Sequence, residues 1–105
     1  TTIIVREGCT LNSKFEIQTN ELLHMLNTHP LIIDVRQPSE FAHGHIPGAI
    51  NVPLDKVDQL QLDDEAILVC QTGRQSFVAK LILDEKGYRT KRVIDGMLQW
   101  DGPLE

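Results

Sequence analysis

Cys70 is the residue in this chain whose type and position are best suited to covalent chemistry. It follows the apolar run Ala-Ile-Leu-Val at residues 66 to 69 and precedes the polar stretch Gln-Thr-Gly-Arg-Gln at residues 71 to 75. Functional sites in open α/β sheets gather beyond the carboxyl ends of the strands. If residues 66 to 70 form a buried strand, its end presents a thiol to such a site.

The stretch after Cys70 has the composition of an anion-binding loop. Gly73 allows a tight turn that a side chain would obstruct, and the apolar pattern predicts a helix from near Ser76 through Lys86. The loop amides can then point inward above a helix N-terminus, where the dipole favours negative charge. These features favour the thiolate, which is the nucleophilic form of cysteine.

A structural interpretation of Cys70 is about equally supported by the residues alone. Free cysteine is among the most buried residue types and often acts as a small hydrophobic side chain. No histidine lies close to Cys70 in the sequence to serve as a base. Whether Cys70 is a nucleophile or a core residue therefore depends on the secondary-structure elements that surround it.

Those elements predict an α/β domain with a mostly parallel sheet. Continuous apolar strands at residues 31 to 35 and 66 to 70 are typical of strands covered on both faces. Shorter strands are predicted in the stretches FEIQ, INVP and RVID, which alternate with helical segments.

The predicted helices carry recognisable end signals. Thr19 is expected to be an N-cap, and residues 38 to 42 are expected to form one helical turn. The helix from Ser76 is expected to end at Gly87. Its apolar stripe consists of Phe77, Val78, Leu81 and Ile82. Residues 96 to 100 start a final short helix.

Composition limits the classes of function. The chain has 105 residues, which suits one domain, and we expect residues 15–105 to form it, with residues 1–14 as an extension or edge strand. A net charge of −5 argues against nucleic-acid binding, and no apolar run has the roughly 20 residues of a membrane span. Two cysteines, Cys9 and Cys70, favour a reducing compartment. We therefore expect a cytoplasmic protein.

Three stretches together resemble the rhodanese family of sulfurtransferases. The stretch LIIDVRQPSEFAHGHIPGAINVP resembles the first motif of that family, VCQTGRQS resembles its active-site loop, and IDGMLQW resembles its closing stretch. The likeness runs from about residue 17 to residue 100, with the motifs in order.

The resemblance implies a five-stranded parallel sheet with helices on both faces and a catalytic Cys70. In such an enzyme the cysteine takes the outer sulfur of a small donor as a persulfide, and cyanide, a thiol or an acceptor protein then removes it. No cofactor or metal is implied. The substrate-binding residues implied are those of the loop: Gln71, Thr72, Gly73, Arg74, Gln75 and Ser76.

Two positions depart from the family pattern. Gln71 stands where many members carry arginine, which leaves Arg74 as the cation of the loop. Asp95 replaces the first glycine of the closing stretch, and we expect its carboxylate near the rim of the site. Both changes bear on which donor is preferred.

Two other classes of function remain as alternatives. A cysteine phosphatase places an arginine six residues after the cysteine to bind phosphate through two hydrogen bonds, but this chain has Ser76 there. A non-catalytic rhodanese-like interaction module is the second alternative, and the intact cysteine weakens it.

The remaining candidate residues are interpreted mainly as structural. Asp34 and Arg36 are expected to form a buried pair that also supports the active-site loop. His43 and His45 are interpreted as structural rather than as a metal site, since no third ligand is evident and the family resemblance implies a turn at His45. Trp100 is expected to be a core residue and Cys9 an inert thiol.

Overall fold

The computed structural model describes residues 15–105, which form a parallel sheet flanked by helices. The strands are β1 (Glu16–Ile17), β2 (Leu31–Asp34), β3 (Ile50–Asn51), β4 (Ala66–Val69) and β5 (Thr90–Val93). The α-helices are α1 (Thr19–Met25), α2 (Pro38–His43) and α3 (Arg74–Glu85). Within the same range of residues, three short 3-10 helices span Leu26–Thr28, Leu54–Gln59 and Met97–Gln99.

All five strands are parallel, in the order β1-β5-β4-β2-β3. The predicted fold class, a five-stranded parallel sheet with helices on both faces, is therefore confirmed. The neighbouring strands β2 and β4 are the continuous apolar runs of the sequence, and they pair with Ile33 opposite Leu68. Because all the strands run in one direction, their carboxyl ends meet at one edge of the sheet.

Two apolar layers cover the two faces of the sheet. On one face, Ile33, Leu68 and Cys70 pack with Ala79 and Leu83 of α3. On the other face, side chains of β2, β4 and β5 pack with Leu22 of α1, and Trp100 lies partly buried against this layer. The core role expected of Trp100 agrees with this placement. Since successive strand residues point to opposite faces, an uninterrupted apolar run supplies both layers.

Two predictions of local structure need correction. The N-cap of α1 is Gln18, so Thr19 is the first helical residue. The backbone N–H of Gln18 donates to the Glu21 carboxylate at 2.9 Å. Of the predicted apolar stripe of α3, only Ile82 packs against the core, because Phe77, Val78 and Leu81 are 48, 42 and 56% exposed. The buried side chains of α3 are Ser76, Ala79 and Leu83.

The predicted boundary between residues 1–14 and the domain stays a prediction, because that segment and Cys9 lie outside the described residues. Within residues 15–105, no helix combines the length and the apolar character that crossing a bilayer requires. The cytoplasmic location stays a prediction as well.

Candidate active site

The Cys70 sulfur lies at the end of β4 and accepts hydrogen bonds from two backbone amides. The Gly73 N–H donates to Sγ at 2.9 Å, and the Ser76 N–H donates to it at 3.3 Å. Cys70 is 1% exposed. The amides that the sequence predicted would point inward do so at these two residues, and each directs the partial positive charge of its N–H group toward the sulfur.

Helix α3 begins closer to the thiol than the sequence indicated. It was predicted to run from near Ser76 through Lys86, whereas it begins at Arg74 and ends at Glu85, with Gly73 as its N-cap. Arg74, Gln75 and Ser76 therefore form its first turn instead of belonging to the loop. Amides of a first helical turn have no acceptor within the helix, so those of Arg74 and Gln75 are available to a ligand.

Gly73 is the residue that makes this close approach possible. Its φ angle is +94°, a left-handed conformation that favours glycine. A Cβ atom at this position would lie 2.2 Å from the carbonyl oxygen of Ile94, just beyond β5. The loop thus rests directly on the end of β5, and a side chain would displace it.

The chain that follows β5 holds the loop from its carbonyl side. The Met97 amide donates to the Cys70 carbonyl at 2.8 Å, and the Leu98 amide donates to the Gln71 carbonyl at 3.0 Å. With these carbonyls directed away from the sulfur, amides rather than carbonyl oxygens line the thiol. The closing stretch IDGMLQW therefore contacts the loop.

Cys70 lines an open pocket of about 310 Å³ at the edge of the sheet. Four of the predicted loop residues share it, and a carboxylate from α2 joins them; the lining residues are Glu40, Cys70, Gln71, Thr72, Arg74 and Gln75. Sequence reasoning assigned no role to Glu40. A local contact holds the Glu40 side chain at the start of α2. Its carboxylate accepts a hydrogen bond from the Gln37 backbone amide at 3.1 Å.

Asp34 and Arg36 form the buried pair that the sequence predicted. Arg36 Nη2 lies 2.8 Å from Asp34 Oδ2, and Nε lies 3.0 and 3.1 Å from the two carboxylate oxygens. The same guanidinium donates from Nη1 to Gln71 Oε1 at 3.4 Å and from Nη2 to the Gly44 carbonyl at 2.9 Å. The pair therefore connects β2 to the loop after Cys70.

Asp95 does not place a carboxylate at the rim of the site, contrary to expectation. Its Oδ1 accepts a hydrogen bond from the Thr19 amide at 3.0 Å, and its Oδ2 accepts one from the Thr19 hydroxyl at 3.1 Å. The carboxylate thus caps the first turn of α1, where a negative charge is favourable. Its negative charge is accordingly directed at α1 and not at Cys70.

The His-x-His pair lies at the end of α2, with His43 as its last residue and His45 just after the C-cap Gly44. His43 Nδ1 lies 2.7 Å from the Ser39 carbonyl oxygen, and His45 Nδ1 lies 3.0 Å from that of Phe41. The His45 ring stacks on Phe41 with a centroid separation of 3.7 Å. These contacts with residues of α2 agree with a structural role for both imidazole rings.

Arg92 is a site neighbour that sequence reasoning missed. Its Nη1 donates to the Gly73 carbonyl at 2.9 Å, although the two residues are 19 positions apart. A charged residue within a short strand carries no local signal of such a contact. Only the pairing of β4 with β5 brings the two together.

Known proteins are similar to this chain over nearly its whole length. The family described as "Rhodanese-like domain" matches residues 18–102. "Putative sulfurtransferase YtwF" of Bacillus subtilis (strain 168) is 32% identical over 102 residues, which cover 93% of this chain and 92% of that protein. "Thiosulfate sulfurtransferase PspE" of Escherichia coli (strain K12) is 42% identical over 62 residues, covering 53% of this chain and 60% of PspE.

A solved structure and the lengths of other relatives complete the comparison. The rhodanese-like domain protein of Staphylococcus aureus superposes with a TM-score of 0.77 at 31% identity, covering 86% of this chain and 95% of that one. Two other curated relatives are longer, and the chain spans 43% and 33% of them. From its sequence, its parallel sheet and its cysteine loop, the chain belongs to the family of rhodanese-like sulfurtransferase domains.

Proposed function

We propose that this domain transfers sulfane sulfur from an anionic donor such as thiosulfate to a thiophilic acceptor through a persulfide on Cys70. The observation that carries the proposal is the pair of amide hydrogen bonds, 2.9 and 3.3 Å long, on a cysteine sulfur that lines an open pocket. Such amides stabilise negative charge on sulfur, both in the attacking thiolate and in the persulfide that it becomes.

In the first half-reaction the Cys70 thiolate attacks the outer sulfur of thiosulfate. A sulfur–sulfur bond forms to Cys70, the bond between the donor's two sulfurs breaks, and sulfite leaves with that electron pair. The thiolate and the thiosulfate dianion become a persulfide anion and a sulfite dianion, so charge is conserved. Because no proton moves, this step needs no adjacent base once the thiolate has formed.

In the second half-reaction the acceptor attacks the outer sulfur of the persulfide. With cyanide, a carbon–sulfur bond forms, the persulfide bond breaks, and thiocyanate leaves while Cys70 returns to the thiolate. A small thiol or the thiol of an acceptor protein can take the sulfur in the same way. Splitting the transfer at a covalent intermediate is the usual advantage of nucleophilic catalysis, and neither half-reaction requires a cofactor.

Arg74 is the proposed attraction for the anionic donor. It begins α3, is exposed and lines the same pocket as Cys70, so it can reach the donor's sulfonate oxygens while Cys70 attacks the outer sulfur. The free amides at the start of α3 add to this positive potential. A local cation is needed because the chain as a whole carries a charge of −5.

The phosphatase alternative has little support. The position six residues after Cys70 is Ser76, which is fully buried and donates its hydroxyl to the Gly73 carbonyl at 3.0 Å. An arginine there, needed to bind phosphate bidentately, would have to replace a packed side chain of α3. An interaction module without catalysis would not require two amides directed at a thiol.

The test is the intact mass of the protein after incubation with thiosulfate. We expect a gain of one sulfur atom that cyanide removes with release of thiocyanate. Cys70→Ser should lose the mass gain while keeping its fold, and Cys9→Ser, the matched control at the chain's other cysteine, should retain it. An unmodified wild-type mass under these conditions, or loss of the gain in a folded Cys9→Ser protein, would contradict the proposal.

A further inference from the structure

The Gly73 carbonyl lies directly behind the amides that face Cys70, and three donors converge on it. The Ser76 hydroxyl donates at 3.0 Å, the Phe77 amide at 3.3 Å and Arg92 Nη1 at 2.9 Å. Ser76 and Phe77 belong to α3, whose N-cap is Gly73, so they move together with this carbonyl. Arg92 is the donor of the three that ties the carbonyl to the sheet.

Arg92 is itself held in place. Its Nη2 lies 2.9 Å and its Nε 3.1 Å from Glu16 Oε2 in the neighbouring strand β1. Its guanidinium carbon lies 5.2 Å from the centre of the Phe77 ring, within range of a cation–π contact. The side chain is only 16% exposed. A planar guanidinium can bind Glu16 and the Gly73 carbonyl at the same time because its donors form a rigid fork.

The position of the Gly73 carbonyl matters because it is coupled to the thiol. Rotation about the Gly73 backbone would move this carbonyl and, with it, the start of α3, which includes the Ser76 amide. Gly73 also supplies the amide that lies 2.9 Å from Cys70 Sγ. Since the loop rests on the end of β5 without room for a Cβ atom, a contact from β5 is well placed to set its position.

We propose that Arg92 is a positioning residue for sulfur transfer: held by Glu16, its guanidinium fixes the Gly73 carbonyl so that the Gly73 and Ser76 amides remain directed at Cys70 Sγ. It acts through the loop, because its side chain does not line the pocket that contains Cys70. This proposal rests on the proposed function for its biological meaning. The effect that it predicts, however, is on the thiolate of Cys70 and can be measured without sulfur transfer.

The test is the ultraviolet absorbance of the thiolate, measured over a range of pH in a Cys9→Ser background so that only Cys70 contributes. In Arg92→Gln, the ratio of thiolate to thiol at a given pH should fall by about fivefold, since one charge-assisted hydrogen bond of three on the carbonyl is lost. Lys91→Gln is the matched control. It removes the same charge from the same strand and breaks the Lys91–Glu65 pair, which spans 3.7 Å, without touching the loop.

Two further variants separate positioning from fold stability and from net charge. Glu16→Gln removes the ion pair but keeps a side-chain oxygen that accepts hydrogen bonds from Arg92, so the Arg92–Gly73 contact is retained and the thiolate ratio should change by less than about twofold. Arg92→Lys keeps the charge but replaces the fork by a single ammonium group, so the ratio should fall by about twofold. Arg92→Lys also serves as the test if Arg92→Gln does not fold.

Equal thiolate ratios in Arg92→Gln and Lys91→Gln would overturn the proposal, as would an unchanged ratio in Arg92→Lys. The measurement needs no sulfur donor, so it is decided separately from the proposed function. If wild-type protein gains no sulfur from thiosulfate, the proposed function fails while the thiolate ratios still report on Arg92. If sulfur is gained but the ratios do not differ, only the role of Arg92 is rejected.

Discussion

Gly73→Ala is the substitution that tests most directly how the cysteine loop is seated on the sheet. The new Cβ atom would lie 2.2 Å from the Ile94 carbonyl oxygen, so the loop or the end of β5 must shift by about 1 Å to restore van der Waals contact. Alanine at a φ of +94° adds a conformational cost of ~1–2 kcal/mol. Forced repacking of this kind typically costs a further ~1–3 kcal/mol.

Gly87→Ala provides a matched control for the conformational part of this cost. Gly87 has a φ of +92°, nearly that of Gly73, but a Cβ atom there would meet nothing within 4 Å. Both substitutions reduce the entropy of the unfolded chain equally, so that effect cancels in the comparison. The difference between the two variants therefore isolates the clash with the Ile94 carbonyl.

The expected result is a larger loss of thermal stability in Gly73→Ala. At ~4 °C per kcal/mol for a domain of this size, Tm should fall by ~8–20 °C in Gly73→Ala and by ~4–8 °C in Gly87→Ala, measured by calorimetry. Sulfur transfer from thiosulfate should fall by roughly 10- to 150-fold in Gly73→Ala, because the amide contact to Cys70 is displaced, and should be nearly unchanged in Gly87→Ala. Equal Tm values for the two variants would refute the close seating of the loop on β5.

Three further predictions concern charged groups around the site. Arg74→Gln should lower kcat/KM for thiosulfate by roughly 10- to 150-fold through loss of a charge-assisted contact. Arg89→Gln removes the same charge just before β5 and should not lower it. Equal steady-state constants for the two variants would show that Arg74 does not bind the donor. Asp34→Asn should lower the free energy of unfolding in urea by ~3–5 kcal/mol because it leaves Arg36 buried without its carboxylate, and a loss below ~1 kcal/mol would show that the pair is not desolvated. Asp95→Ala should cost ~0.5–2 kcal/mol of stability through loss of the cap on α1 with little change in thiosulfate turnover; a markedly improved KM for this anion would mean that the Asp95 carboxylate does face the donor.

The strands of the central sheet could be predicted because burial on both faces leaves a direct mark on sequence. Residues 31 to 35 and 66 to 70 were predicted as buried strands, and the structure has Leu31–Asp34 and Ala66–Val69 there. Strands that contain polar residues leave a weaker pattern in the sequence. The last strand is predicted in residues 92 to 95, whereas β5, which lies between β1 and β4, spans Thr90–Val93. Its first two residues, Thr90 and Lys91, are polar, so the apolar pattern does not reveal where the strand begins.

The orientation of α3 could not be predicted from its apolar pattern. Two stripes with helical spacing compete in this segment, the predicted one at Phe77, Val78, Leu81 and Ile82 and the buried one at Ser76, Ala79 and Leu83. The cysteine loop brings the Ser76 amide to the sulfur, which turns the face with small side chains at its start toward the sheet. Hydrophobicity alone favours the larger side chains, so it selects a stripe of which only Ile82 packs against the core.

By itself, the sequence determined the class of fold, the position of Cys70 at a strand end and the glycine-containing turn that follows it, because each depends on neighbouring residues along the chain. The structure alone showed which groups meet around that turn. Arg92 reaches Gly73 across 19 residues, Asp95 caps α1 across 76 residues, and Glu40 enters the pocket from another helix. Such contacts depend on the order and register of the strands, and a single charged residue carries no local record of the partner that folding brings to it.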